Sequence, residues 1–200
     1  MIVTNIITSI TRTTKRAQTF YDGTCDLFPG ICHLPVAEPF CQLTRSCIEK
    51  AAEEANIPIH TKGTCVTIEG PRFSSKAESL LFRSWDCDVI NMTTVPEVIL
   101  AKEAGLCYAA VAMATDYDSW HPHNENVNVE LALKTFCENV SKVTNVLCRA
   151  IPLIAQQDWS GTIEDLQVSS VIAFLFPLLT LFSLLITESS QRQCNAITRF

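Results

Sequence analysis

The sequence predicts an α/β domain built on a mostly parallel central sheet, and three observations carry that expectation. Short uncharged runs rich in β-branched residues alternate with well-marked helix starts. Polar or Gly-Pro loops close those runs, and ligands of open α/β sheets bind at the carboxyl ends of strands. Finally, 48% hydrophobic against 18% charged residues over 200 residues excludes a disordered chain and supplies one sizeable core.

Residues 2–10 (IVTNIITSI) read as the first strand, which runs into a basic loop with Arg12, Lys15 and Arg16. Gly23, Pro29, Gly30, Pro35 and Pro39 make residues 21–40 a long irregular loop. A helix fits Phe40–Ala55, followed by a strand pair around Ile57–Glu69 that turns at Gly63. Ser75-Lys76-Ala77-Glu78 is a capping-box pattern opening a helix to about Trp85. Asp88–Met92 is a short buried strand. Thr94-Val95-Pro96-Glu97 repeats the cap pattern before a helix at Val98–Ala104, which Gly105 is placed to end. Leu106–Met113 carries no charge and reads as a strand covered on both faces. Val129, Leu133, Phe136, Val140, Val143 and Leu147 recur at alternating steps of four and three, so the clearest helix has an apolar stripe that reads as core packing.

A net charge of −6 with no Lys/Arg cluster among aromatics argues against a nucleic-acid surface. Ten cysteines include no C-x-x-C pair, which favours free thiols in a reducing compartment over disulfides or a metal site. The first residues lack the basic stretch of a secretory signal. The expected location is the cytoplasm, with the nucleus as a second compartment. Val168–Thr187 has no charged residue and is long enough to span a bilayer, so membrane association is expected only there. Gln167-Val168-Ser169 is also what a consensus donor splice site encodes in frame, and the tail reads as translated intron in preference to an anchor.

Chemistry concentrates in three segments, Gly70–Ser75 (GPRFSS), Ile90–Glu97 (INMTTVPE) and Ala114–Asp118 (ATDYD). Asp116 and Asp118, two residues apart after a buried run, can project to one pocket. Partial burial would keep one protonated, to donate to a purine N7, while the other accepts from an exocyclic amine. The same D-x-D also fits a solvated Asx-type turn, and the residues alone leave both readings open.

In order and spacing, these segments resemble the nucleoside-binding segments of the trimeric purine nucleoside phosphorylase family, in its methylthioadenosine-cleaving branch. The resemblance covers roughly residues 12–166. It implies part of a three-layer αβα domain at 1–166, with a mixed, mostly parallel sheet lacking the family's N-terminal strands, and an atypical tail at 167–200. By that resemblance Thr115, Asp116, Tyr117 and Asp118 surround adenine, with Asp116 and Asp118 as the catalytic acids. Phe73 stacks on the base, Met92 lies under the ribose, Ile90 and Asn91 are further substrate-binding residues, and Thr93 gives its hydroxyl to phosphate. Ser74 and Asp116 agree with a 6-aminopurine specificity, the guanine/hypoxanthine enzymes having Glu and Asn at these positions. Val129 and Leu133 match pocket-lining positions, and His33 matches a histidine that reaches the 5'-methylthio pocket of a neighbouring subunit in a homotrimer.

The implied reaction is phosphorolysis of 5'-methylthioadenosine to adenine and 5-methylthioribose-1-phosphate. Inorganic phosphate is the co-substrate, and no metal or organic cofactor is implied. The family's Gly-rich phosphate loop, Arg-His pair and Thr-Ala segment have no counterpart here, so little or no activity of this chain alone is expected. The alternatives are a non-catalytic isoform that joins full-length subunits and a membrane-tethered interaction protein.

Overall fold

Alternation along two short strands sets the layers of this fold. The computed structural model describes residues 5–8, 16–24, 26–28, 31–121 and 129–167, so segment 168–187 lies outside the described residues. Strand β1 (Asn5–Thr8) pairs in parallel with β2 (Thr64–Thr67), which pairs in parallel with β3 (Val89–Asn91). Helix α1 (Gln42–Glu54) precedes β2, α2 (Lys76–Ser84) connects β2 to β3, α3 (Thr94–Glu103) follows β3, and α4 (Val129–Ala155) comes last of these. A further helical stretch occupies 160–167.

Successive side chains of a strand face opposite ways. Cys65 and Val89 accordingly pack with Val95 and Val98 of α3, whereas Val66 and Ile90 pack with Phe82 of α2. The described sheet is thus covered by α3 on one face and α2 on the other, the α/β/α layering that the sequence predicts. Ile48, Ala51 and Ala52 of α1 meet Val146 and Ala150 of α4 in another cluster.

The local signals at two helices carry through in different ways. Ser75 caps α2 with the full reciprocal box: its hydroxyl accepts from Glu78 N, and the Glu78 carboxylate accepts from Ser75 N. Gly105, at φ +67°, ends α3 in a Schellman arrangement, with Gly105 N donating to Lys102 O and Leu106 N to Ala101 O. The start of α3 corrects the expected Thr94 box. Asn91 Oδ1 accepts from the backbone N–H of Thr93 and of Thr94, and Val95 is non-helical at φ −105°, ψ 125°.

Three other expectations are corrected. The strand pair at Ile57–Glu69 is the single strand β2. Pro58 has no N–H for a ladder, and Ile57 and Ile59 pack against the α1–α4 cluster instead. Residues 106–113 are extended, with Tyr108, Ala110 and Ala112 facing the α3 cluster and Ala109 and Val111 the α1–α4 cluster. That is a strand's alternation, but only an isolated bridge residue forms, at Val111, and Tyr108 O accepts from Cys41 N in the loop before α1 at 2.8 Å. The α4 stripe is not core: Val129, Leu133, Phe136, Val140 and Leu147 are exposed, Leu133 by 59%. The helix packs on α1 through Val146 and Ala150, one step round from the stripe, whose Val143 is half-buried at the cavity it shares with Ile57.

Cys32, Cys41, Cys47, Cys65, Cys87, Cys107, Cys137 and Cys148 are free, of which Cys47 and Cys65 are buried. Burial pushes the Cys65 thiol up to about 11, so it packs as a neutral apolar group. Cys25 and Cys194 lie outside the described residues. Among the described residues, no helix is long and apolar enough to cross a membrane.

Candidate functional site

The loop after β2 contains Gly70 at φ +66°, a backbone conformation that strains any other residue. A Cβ there would stand 2.6 Å from Met92 Sδ, so this glycine also lets the thioether lie against the backbone. The loops after β2 and β3 are therefore in direct contact. Arg72, in the first loop, donates from both terminal nitrogens to the Glu78 carboxylate at 2.8 Å, which ties the Phe73 segment to the first turn of α2.

Glu78 takes two Arg72 hydrogen bonds and the backbone N–H of Ser75, and these hold its carboxyl down to about 2 against an ordinary 4.5. A depressed acid contributes stability above its ordinary pKa and loses it as pH falls toward the folded value. The gap in urea midpoint between the native chain and Glu78→Gln is therefore expected to be full at about pH 6. It should close between pH 4.5 and about 2. A gap unchanged down that range would show that the Arg72–Glu78 pair does not hold the loop.

After β3, Asn91 spends its side chain on the protein. Its oxygen accepts from Thr67 Oγ1 at 3.0 Å and from the N–H groups of Thr93 and Thr94, and its amide donates to Thr94 Oγ1. Asn91 thus shapes the loop on which Met92 and Thr93 sit. Because Asn91 does the capping, the exposed Thr93 hydroxyl makes no cap bond of its own.

The third loop docks onto the first. Ser119 Oγ donates to Ser74 O at 3.2 Å, and Trp120 N donates to Ser79 Oγ at 3.1 Å. The Trp120 ring lies 3.9 Å from the Arg83 guanidinium, and Tyr117 stacks on His121 at 4.6 Å. Thr115 Oγ1 donates to Asp116 Oδ1 at 2.6 Å. Asp118 Oδ2 is shielded from solvent and has no hydrogen-bond donor among the described residues. A shielded carboxylate oxygen of this kind is a strong acceptor for an N–H that arrives with a ligand.

The structure therefore brings together Phe73 and Ser74, Ile90 through Thr93, and Thr115 through Asp118. Phe73, Asp116 and Tyr117 are exposed, while Ser74, Ile90, Met92 and Asp118 are half-buried. His33 is exposed in the irregular segment before α1, and Val129 and Leu133 are exposed on the first turns of α4. No described contact joins these three to the loops. Two cavities of about 360 Å³ lie elsewhere, one beside Cys41 and Tyr108, the other between Ile57 and Val143. The first includes no residue expected in the site, and the second reaches it only at Ala114, where the ATDYD segment begins. Sequence reasoning missed Gly70, Arg16, Ser79 and Ser119 as organisers; the Gly-Pro turn was a visible signal for the first, whereas the others show only through long-range contacts.

The loops after β2 and β3 and the loop after the extended run at 106–113 are thus linked, the third with an acid pair, and this chain belongs to the Phosphorylase superfamily, whose family profile matches residues 1–152. Its sequence is 58% identical over 168 residues to S-methyl-5'-thioadenosine phosphorylase of Danio rerio, covering 84% of this chain and 60% of the relative. It is 61% identical over 158 residues to the enzyme of that name from Aedes aegypti, covering 78% and 56%. In three dimensions it is similar to methylthioadenosine phosphorylase from Schistosoma mansoni in complex with adenine. That match has a TM-score of 0.80 at 37% identity, covering 86% of this chain and 65% of the other. A mutant of adenosine/methylthioadenosine phosphorylase from the same organism, in complex with methylthioadenosine, gives 0.77 at 35%, covering 86% and 64%. The chain thus spans about 60% of the length of the curated relatives it matches.

Proposed function

We propose that this chain carries the base-and-ribose half of a site for phosphorolysis of 5'-methylthioadenosine. The observation that carries the reading is the docking of the Asp116–Asp118 loop onto the Phe73–Ser74 loop through Ser119, with Asp118 Oδ2 left as a shielded acceptor. Adenine offers an exocyclic amine for such an acceptor and a flat face for the exposed Phe73 ring. The relatives named S-methyl-5'-thioadenosine phosphorylase, and the similar structures with adenine and methylthioadenosine, support the same assignment.

Phosphorolysis breaks the N-glycosidic bond toward an oxocarbenium-like ribosyl group, which phosphate captures at C1'. The departing base takes a proton at N7, which comes from solvent and passes through the exposed Asp116. Asp118 holds the exocyclic amine, so the base is oriented before the bond lengthens. Thr93 presents its exposed hydroxyl to the anion on the other side, the N–H groups of Thr93 and Thr94 being held by Asn91 Oδ1. Thr93 is the one phosphate-binding residue expected from the sequence, and low turnover by this chain alone is the expected result. His33 serves the 5'-methylthio group in a neighbouring subunit of a homotrimer, consistent with its exposure here.

Calorimetric titration of the purified chain with adenine, beside an assay of adenine release from 5'-methylthioadenosine with and without phosphate, tests this. Saturable adenine binding with weak phosphate-dependent release is expected. A folded chain that binds no adenine would sink the reading. Rapid phosphate-dependent release would overturn the low-turnover part and leave the site assignment standing.

A further inference from the structure

Arg16 stands in what the sequence offers as a plain basic loop, yet its guanidinium sits between the loops after β2 and β3. Nη2 donates to Glu69 O at 2.5 Å, and Nη1 donates to Met92 O and, at 3.3 Å, to Val95 O. Nε lies 3.1 Å from Glu69 Oε1, and the Glu69 side chain is only 7% exposed. One side chain thus holds the last residue before the Gly70 turn, the residue expected under the ribose, and the non-helical residue that sets the entry into α3. In the structure, a cation beside the start of α3 invites an anion-binding role. The geometry excludes that as its main use, since four contacts to protein oxygens occupy a guanidinium with five N–H groups.

We propose that Arg16 is a positioning residue that fixes the base-stacking loop and the ribose loop in a single geometry, so that Phe73 and Met92 are placed as a unit. The proposal rests on the nucleoside reading of the site for its consequence in binding, and on the contacts alone for its mechanical part. Only a planar fork can serve three carbonyls and a carboxylate at once; a lysine ammonium retains the charge beside Glu69 but lacks the fork. The half-buried position makes this coupling stiffer than a surface ion pair. The Gly70–Met92 contact lies on the same path, so a shift in either loop is felt by the other.

The full chain and its Arg16→Gln and Arg16→Lys variants would be compared by amide hydrogen exchange, thermal midpoint and adenine titration. Arg16→Gln is expected to speed exchange at residues 69–74 and 92–95 together, leave α1 unchanged, and weaken adenine binding by about 10- to 100-fold. Arg16→Lys should restore most of the thermal midpoint while adenine binding stays weak, a split that a merely structural ion pair would not give. Exchange that rises in only one loop, or uniformly across α1 as well, would overturn the clamp. So would adenine affinity in Arg16→Gln equal to that of the native chain. If the native chain itself binds no adenine, the nucleoside reading fails on that result, and the paired loosening of the two loops still decides the mechanical claim.

Discussion

Asp118→Ala is expected to remove most of the adenine affinity of this chain while leaving its circular dichroism unchanged. Asp118 Oδ2 is shielded from water and receives no donor among the described residues, so the folded chain gains little from that oxygen itself. An arriving exocyclic N–H would satisfy it, and a hydrogen bond to a charged group contributes about 1.5–3 kcal/mol, or roughly 10- to 150-fold in affinity. Asp118→Asn keeps an acceptor oxygen in the same shape but without charge, and should fall between the two. Calorimetric titration of the three proteins with adenine gives the order directly. Equal affinity in Asp118→Ala and the native chain would remove Asp118 from the base site and return the loop to a solvated turn.

The neighbouring Asp116 differs in kind. It is exposed, and one oxygen is taken by Thr115 Oγ1. Its substitution should affect bond cleavage more than adenine binding, because a proton donor to N7 acts as the base departs. The two carboxylates thus occupy different surroundings within three residues, so one short loop holds the base with a shielded acceptor and keeps its other acid open to solvent.

How far the sequence disclosed this arrangement depends on the range of the interaction. Ser75–Glu78 and Gly105 were legible because their partners lie within four residues: a hydroxyl and a carboxylate close the α2 start, and a positive φ closes the α3 end. The start of α3 misled because Asn91, still in strand β3, accepts the N–H groups that the Thr94 pattern assigns to a cap of its own. Helical periodicity located the apolar face of α4 correctly and its surroundings wrongly. A spacing rule reports which face is apolar, and whether the chain holds anything to cover it is a tertiary fact. In the site, residue types at the three loops were readable, but their mutual fixing was not. Arg16 reaches Met92 and Ser119 reaches Ser74, each across more than forty positions.

Phe82→Ala is expected to be the most damaging single change to the fold. Phe82 is 2% exposed in α2 and joins Val66 and Ile68 of the β2 segment to Ile90 and Met92 of the β3 segment, with the Trp85 ring 5.8 Å away. Truncating a buried phenylalanine removes its transfer free energy and leaves a cavity, at a cost of about 3–5 kcal/mol. A domain stable by about 5–15 kcal/mol loses a large fraction of that margin. The site suffers before the fold does, because Ile90 and Met92 pack on the cluster that this ring completes and Phe73 stands on the loop leading into α2. Phe82→Leu, which refills most of the volume, should recover most of both losses. Thermal melts and adenine titrations of the two variants separate the effects. If Phe82→Ala melts with the native chain, the α2 face of the sheet is not the support on which the nucleoside loops stand.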